Sequence, residues 1–192
     1  MTTAEALVIR RAWAMPSAET FTIKPIAELL DRWLEGRAVI VDPFARNSSL
    51  GTITNDLNPK TSAQHHLPAE EFARHVARSS ELMGGSLADA VLFDPPYSPR
   101  QISEVYQAVG LKCGTAETQN GRLYAEVKNA LAEVIKPWGI AICCGWNSAG
   151  FGKSRGFEMR EMLLVAHGSA HNDTIVTVEE KLPGLFEQEG TR

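Results

Sequence analysis

Apolar positions along this chain form short continuous runs that alternate with stretches of helical spacing. Three continuous runs predict buried strands of the parallel type, at residues 38–41, 90–93 and 140–144. Shorter apolar segments predict strands at residues 7–9, 52–55 and 64–67, and a closing pair at 162–166 and 174–179. Only about nine residues separate the strands at 38–41 and 52–55, which is short for a helical crossover.

Helical spacing fills most of the intervals between these strands. From Ile26 onward, apolar residues recur at i, i+3, i+4, i+7 and i+8, which predicts an amphipathic helix over residues 25–35. Pro25 stands in its first turn and Gly36 just past its end, as expected for helix termini. Further helices are predicted at residues 69–80, 100–109 and 123–135. Strands that alternate with helices predict an α/β fold with an open, mostly parallel sheet and an antiparallel last strand.

The composition predicts a single cytoplasmic domain. A length of 192 residues suits one domain with a substantial core, and 44% apolar with 22% charged residues is ordinary for a globular protein. No apolar run approaches the length that spans a bilayer, and the N-terminus lacks a basic segment followed by an apolar one. Three cysteines, two of them adjacent on a predicted strand, cannot form a disulfide framework. We therefore expect a reducing compartment and no membrane partner.

The net charge of −4 does not favour nucleic-acid binding. Contacts to phosphates would have to come from a local basic patch, or from a partner that supplies them.

The segment Asp94-Pro95-Pro96-Tyr97 carries the most specific chemistry in the sequence. It directly follows the apolar run 90–93, so we expect it at the end of a buried strand. The two prolines fix their own φ angles and push each preceding residue toward extended geometry. A carboxylate, a backbone carbonyl and an aromatic ring are thus held with little freedom. Asp94 and the Pro95 carbonyl suit the two hydrogens of a planar amino group, and Tyr97 suits stacking on its ring.

This tetrapeptide resembles the catalytic motif of the amino-methyltransferases, which methylate adenine N6, cytosine N4 or a glutamine amide with S-adenosylmethionine. An aspartate in the first position resembles the branch that acts on adenine in DNA. The chain looks closest to the small adenine methyltransferases of phages and mobile elements, which similarly carry a Gly-Trp-Asn-Ser loop, here residues 145–148, and a His-x-x-x-His-Asn-Asp turn, here residues 167–173. The resemblance implies a Rossmann-like methyltransferase domain over residues 1–192, in the cytoplasm of a bacterium or a phage-infected host.

Three further segments resemble cofactor motifs of the same family, in the same order along the chain. They are Thr20-Phe21-Thr22-Ile23-Lys24-Pro25, Asp42-Pro43-Phe44-Ala45 and Asp56-Leu57-Asn58-Pro59. The resemblance implies that Lys24 and Asp42 lie near the methionine carboxylate and amino groups, that Phe44 packs beneath, and that Asp56 binds the ribose hydroxyls. The implied residues binding S-adenosylmethionine are Phe21, Thr22, Lys24, Asp42, Phe44, Asn47 and Asp56.

The chain departs from the family pattern in three places. Arg46 and Ser48 stand where the family usually has a glycine pair that lets the backbone approach the cofactor. Asn47 tolerates positive φ and Ser48 is small, so a tight turn is still predicted. The acid that often faces the cofactor's adenine is represented only by Glu70. We expect no separate target-recognition domain, so sequence specificity is either low, carried by short loops, or supplied by a homo-oligomer or another partner.

Double-stranded DNA is the expected macromolecular partner. The glycine-rich segment 149–156 contains Lys153 and Arg155 and is read either as a phosphate-contacting loop or as a solvated loop. Trp146 either lines a pocket for the base or packs within its loop. The residues predicted to contact nucleic acid are Arg100, Trp146, Asn147, Lys153 and Arg155.

The predicted reaction is methyl transfer to adenine N6, with Asp94, Pro95, Pro96 and Tyr97 as the catalytic residues. Hydrogen bonds to Asp94 and the Pro95 carbonyl would aim the nitrogen lone pair at the sulfonium methyl, so that catalysis is positioning and electrostatic stabilisation. No metal is expected, because no His or Cys set has suitable spacing. Two alternatives stay open: methylation of RNA adenine or of a protein glutamine, and a catalytically weak or non-catalytic scaffold that binds nucleic acid or a partner methyltransferase.

Overall fold

The computed structural model describes residues 6–110, 120–168 and 172–184. Seven strands of this part of the chain form one sheet: β1 Val8–Trp13, β2 Ile40–Asp42, β3 Ile53–Thr54, β4 Ala88–Phe93, β5 Ile135–Gly145, β6 Phe157–Ala166 and β7 Thr174–Lys181. The helices are α1 Lys24–Leu34, α2 Ala69–Leu82, α3 Pro99–Ala108 and α4 Asn120–Val134, with short 3-10 turns at Thr20–Thr22 and Lys153–Arg155.

The sheet has the strand order β1-β6-β7-β5-β4-β2-β3. β7 is antiparallel to both of its neighbours, β5 and β6, and the other paired strands are parallel. The predicted open, mostly parallel sheet with an antiparallel last strand is therefore confirmed.

Helices cover the two faces of the sheet and divide the core into two layers. The side chains of β4 alternate between them, since Val91 and Phe93 face α2 and α4 whereas Ala90 and Leu92 face α1. Ile26, Leu29 and Leu30 of α1 are almost fully buried, which accounts for the helical spacing in the sequence. Pro25 lies in the first turn of α1, where its missing N–H leaves no bond unmade.

Four strands differ from the sequence prediction, and two of them, β5 and β6, simply begin about five residues earlier, at Ile135 and Phe157. The strand predicted at residues 7–9 extends through Trp13 and lies at the edge of the sheet, parallel to β6. The strand predicted at residues 64–67 is reduced to a single bridge between His65 and Asn55. The side chains of Gln64 and Asn55 there bond backbone groups in place of a longer ladder, to Thr54 at 3.1 Å and to Leu67 at 2.9 Å.

The parallel strands bring their carboxyl ends to one edge of the sheet. β2 ends at Asp42, β4 is followed at once by Asp94, β3 is followed by Asn55 and Asp56, and β5 is followed by Trp146. These polar groups therefore gather at the carboxyl edge, where ligands of open α/β sheets bind.

Within residues 6–110, 120–168 and 172–184, no helix combines the length and the apolar character that a membrane crossing requires.

Candidate functional site

The Asp94-Pro95-Pro96-Tyr97 segment is fixed between the end of β4 and the start of α3. Ser98 caps α3, since its hydroxyl accepts the Gln101 N–H at 3.2 Å. The Gln101 side chain accepts the N–H groups of Tyr97 at 2.8 Å and Ser98 at 3.1 Å. The backbone of the tetrapeptide is thereby bonded to the helix that follows it, and Pro95 is buried.

Asp94 and Tyr97 are bonded to each other in this structure. The Tyr97 hydroxyl donates to Asp94 Oδ1. Burial raises the pKa of Asp94, and the hydroxyls of Tyr97 and Thr20 oppose that shift by bonding the ionised form. The ring of Tyr97 lies 5.6 Å from the ring of Trp146, centroid to centroid. The residue predicted to stack on a substrate ring is thus turned toward the carboxylate and packed beside Trp146.

An aromatic cluster supports the tetrapeptide from the α4 side. Tyr124 of α4 donates its hydroxyl to the Pro96 carbonyl at 2.9 Å. Phe44 meets Phe93 edge-on at 5.3 Å and Tyr124 at 6.0 Å between ring centroids. Sequence reasoning missed Tyr124, because nothing in the local pattern of α4 distinguishes it from other residues of the core-facing side.

Asp42 is fully buried and only half satisfied. Its Oδ1 accepts the Phe44 N–H at 3.0 Å, whereas its Oδ2 has no hydrogen-bond partner. Burial is the main cause that raises the pKa of this carboxyl to about 8. Gly51 lies directly behind it, where an added Cβ would come within 2.9 Å of the Asp42 Cβ. An unpartnered buried carboxylate oxygen of this kind suits a cationic donor from a ligand.

The turn after β2 contains a residue with a positive φ angle. Arg46 has φ of 51°, in the left-handed region that side chains disfavour. Its N–H donates to Asp56 Oδ2 at 3.2 Å, and Asp56 Oδ1 accepts the Asn58 N–H at 2.8 Å. Asn47 accepts the Ser62 N–H at 3.0 Å. Asp56 and Asn47 therefore both lie in this turn region and hold its backbone.

The residues predicted in the N-terminal cofactor motif occupy different environments. Phe21 packs against the core layer of α1, and the exposed Thr22 donates its hydroxyl to the Glu19 carbonyl at 2.7 Å. The Lys24 side chain is 87% exposed and lies 4.0 Å from Glu28. Lys24 thus points into solvent beside a helical neighbour.

Arg46 was not predicted as a site residue, yet its side chain reaches the N-terminal segment. The guanidinium donates to the Ala18 carbonyl and lies 3.4 Å from the Glu19 carboxylate. Its positive charge also opposes the rise that burial causes in the pKa of Asp94. The mismatch with the family's glycine was the available signal, but the sequence could not show where the side chain points.

Three of the residues predicted to contact nucleic acid lie at the carboxyl edge. Arg100 is exposed at the start of α3 and pairs with Glu104 at 2.8 Å. Trp146 is 42% exposed beside Tyr97. Asn147 accepts the Ala149 N–H at 2.9 Å and shapes the loop after β5.

Lys153 and Arg155 lie at the opposite edge. They immediately precede β6, whose first residue pairs with the end of β7, at the amino ends of the parallel strands. Arg155 donates to Asn129 and to the Phe151 carbonyl, each at 2.6 Å, which fastens its loop to α4. The structure therefore does not bring these two cations together with Asp94.

Among the residues that the structure describes, no group of three or more His, Cys, Asp or Glu side chains is arranged to hold a metal ion. Residues 169–171 of the predicted His-x-x-x-His-Asn-Asp turn lie outside the described residues. The described His167 is buried and bonds the Ala14 carbonyl at 2.9 Å and the Thr174 hydroxyl at 2.8 Å.

No protein-family model and no curated protein sequence matches the chain. Solved structures do match its fold. The 1,6-didemethyltoxoflavin-N1-methyltransferase of Burkholderia thailandensis, solved with S-adenosylhomocysteine, has a TM-score of 0.52 at 14% identity over 83% of this chain and 78% of its own. The N-methyltransferase NodS of Bradyrhizobium japonicum WM9 also has a TM-score of 0.52, at 8% identity over 83% of this chain and 96% of its own.

TrmN of Thermus thermophilus is similar at 20% identity with a TM-score of 0.46, and the matched 83% of this chain spans 49% of TrmN, about half its length. The strand order and the two matches above 0.5 define the class of fold: it is the Rossmann-like fold of S-adenosylmethionine-dependent methyltransferases.

Proposed function

We propose that this protein transfers a methyl group from S-adenosylmethionine to the N6 amino group of adenine in DNA. The observation that carries the proposal is the position of Asp94-Pro95-Pro96-Tyr97 at the carboxyl edge, with the Asp94 carboxylate half-buried beside the end of β2. Ligands of open α/β sheets bind at this edge. The resemblance of the tetrapeptide to the adenine branch of the amino-methyltransferases adds the substrate class.

The chemistry needs a better nucleophile than a free adenine amine, whose lone pair is delocalised into the ring. Asp94 and the Pro95 carbonyl would each accept one N–H of the amine and so favour a tetrahedral nitrogen with a directed lone pair. The same carboxylate would stabilise the positive charge that develops on that nitrogen. The nitrogen must then release a proton, and the raised pKa of Asp94 makes its carboxylate a better acceptor for it.

The residues at the end of β2 fit the proposed cofactor. The unpartnered Oδ2 of Asp42 suits the ammonium of the methionine moiety, which would supply the donor that the structure lacks at that atom. Asp56, which borders the same turn, suits the ribose hydroxyls. When bound, the cofactor supplies an electrophilic methyl group on a sulfonium centre.

Tyr97 would change partner during the reaction. Its hydroxyl now occupies Asp94 Oδ1, an acceptor that the target amine requires. A base that is flipped out of the duplex would displace this hydroxyl and gain the face of the Tyr97 ring for stacking. Trp146, which already touches Tyr97, lies where it could form the second wall of such a pocket.

Duplex DNA is the proposed partner, with Arg100, Trp146 and Asn147 as the contacts at the carboxyl edge. Since the chain carries a net charge of −4, a second copy or another protein would add positive surface and target recognition. An aspartate in the first motif position favours adenine over a protein glutamine.

The proposal is tested by incubating the protein with S-adenosylmethionine that carries a labelled methyl group and with unmethylated duplex DNA, followed by nucleoside analysis. We expect label in N6-methyladenine from the natural protein and from Asp31→Ala, which removes an exposed acid of α1. Asp94→Ala should give about a thousandfold less label or lower still.

Parallel reactions with RNA and with protein extract separate the alternatives. Label in RNA or in glutamine, with none in DNA, would overturn the DNA assignment and retain the methyltransferase. If the folded protein does not bind S-adenosylmethionine, the proposal that it is an enzyme would be overturned in favour of a binding scaffold.

A further inference from the structure

The side chain of Arg46 crosses from the turn after β2 to the segment that precedes α1. Its backbone has φ of 51° and is bonded to Asp56. Its guanidinium bonds the Ala18 carbonyl and pairs with Glu19, and the arginine and glutamate side chains are 50% and 42% exposed. A positive charge is thus held at the same turn as the orphaned acid Asp42, within electrostatic reach of Asp94.

A bound S-adenosylmethionine has a carboxylate beside its ammonium, and that carboxylate needs a cation or N–H donors. The resemblance assigned this role to Lys24. In the structure the Lys24 side chain is 87% exposed and lies beside Glu28, whereas the Arg46 guanidinium contacts Ala18 and Glu19. A guanidinium also binds a carboxylate in a bidentate manner, which an ammonium cannot do.

We infer that Arg46 is the residue that binds the methionine carboxylate of the cofactor, in place of Lys24. The inference rests on the proposed cofactor and deepens it. Asp42 would bind the ammonium and Arg46 the carboxylate. The two charged groups on the methionine Cα would thus be bound by one acidic and one basic side chain of the same turn region. The strained backbone of Arg46 is then explained, because it places a long cation where the family has glycine.

Glu19 stands in for the ligand in this structure. Its carboxylate occupies the guanidinium at 3.4 Å, so a cofactor carboxylate would compete with it. Removal of Arg46 and removal of the charge on Glu19 should therefore change affinity in opposite directions.

The experiment is a calorimetric titration with two ligands, S-adenosylhomocysteine and its decarboxylated analogue, which keeps the ammonium and lacks only the carboxylate. The variants are Arg46→Gly, which is compatible with φ of 51°, Arg46→Lys and Glu19→Gln. We expect the natural protein to prefer S-adenosylhomocysteine by about tenfold, the scale of one charge-assisted bidentate contact. Arg46→Gly should abolish that preference while leaving the analogue's affinity within about threefold, and Arg46→Lys should keep part of it.

Glu19→Gln should tighten S-adenosylhomocysteine binding by about threefold and leave the analogue unchanged, as expected for removal of a competing exposed ion pair. The analogue also reports on folding, because a misfolded variant would lose both ligands.

Two results would overturn the assignment of Arg46 and spare the proposed function. One is an undiminished preference in Arg46→Gly. The other is tighter binding of both ligands by that variant, which would show that the arginine obstructs the pocket. If the natural protein binds neither ligand, the proposed function fails together with this inference.

Discussion

Two regions of this molecule are rich in buried polar groups, and they differ in whether those groups are paired. In the loop 149–156, Glu179 accepts the N–H groups of Phe151 and Gly152, and Lys128 donates to the carbonyls of Ala149 and Gly150. At the carboxyl edge, one oxygen of the fully buried Asp42 has no partner, and Asp94 is bonded by a tyrosine that would have to leave.

This difference in hydrogen-bond pairing indicates that the loop has a structural role and that the carboxyl edge is a candidate ligand site. The loop covers the aromatic face of β4 and β6, where Phe151 meets Phe93 and Phe157 at 5.9 Å and 5.1 Å between ring centroids, and its charges bond the backbone that makes this possible. Its polar groups need nothing further. The carboxyl edge keeps an acid in a costly, half-satisfied state, which is the arrangement that a ligand would complete.

The largest effect that tests this comparison is the loss of Asp94. Asp94→Ala should lower methyl transfer by about a thousandfold or more, since it removes both the acceptor that orients the amine and the charge that stabilises it. Calorimetry should show S-adenosylhomocysteine affinity within about threefold of the natural protein, because the cofactor is assigned to other residues. Near-normal turnover in the variant would show that the tetrapeptide is only a turn.

Loss of Glu179 should instead cost stability. Glu179→Ala leaves two N–H groups without their acceptor in a buried site, so we expect a loss of about 3 kcal/mol in the free energy of unfolding. Urea unfolding measures it, with Glu81→Ala, an exposed acid of α2, as the matched control at under about 0.5 kcal/mol. A stable Glu179→Ala protein that has lost cofactor binding would contradict the structural role of the loop.

The sequence predicted the regular part of this architecture well, because strong periodicity and a local motif both depend on nearby residues. The helix from Lys24, the buried runs of β4 and β5, and the strand-end positions of Asp42 and Asp94 are all of this kind. Side-chain direction could not be predicted in the same way. Lys24 matches a motif and faces solvent, whereas Arg46 breaks one and contacts Ala18 and Glu19 before α1.

The sequence also did not predict the edge of the sheet at which a loop residue lies. Lys153 and Arg155 were expected beside the nucleic acid because they lie in a glycine-rich loop after β5. That loop runs across the sheet from the carboxyl end of β5 to the start of β6, and only the three-dimensional topology shows that its second half is at the far edge.

Asp42 should make stability and cofactor affinity depend on pH. Its pKa rises from 3.8 in the unfolded chain to about 8 in the folded protein, so the folded state retains a proton that the unfolded state releases. The free energy of unfolding should therefore fall, relative to Asp42→Asn, as pH rises from about 4 to about 8, and then level off. Urea unfolding of both proteins across this range isolates the carboxyl, since the other groups titrate in both.

The same carboxyl must ionise before it can hold an ammonium. S-adenosylhomocysteine affinity should therefore rise as pH approaches about 8, with proton release that calorimetry detects in buffers of different ionisation enthalpy. Asp42→Asn should bind weakly with no such release. Equal pH dependence in the two proteins would remove Asp42 from the cofactor site.

The smallest expected effect concerns the cations that the sequence predicted to contact nucleic acid, at the carboxyl edge and at the amino edge of the sheet. If DNA lies at the carboxyl edge, Arg100→Met should lower the slope of log affinity against log salt by about 0.9, the contribution of one phosphate contact. Lys153→Met, at the amino edge, should leave the slope unchanged, although the two side chains carry the same charge and are both exposed. Fluorescence anisotropy with a labelled duplex at several salt concentrations measures both slopes. The opposite pattern would move the DNA to the amino edge, where Lys153 precedes β6, and would leave the tetrapeptide without its proposed substrate.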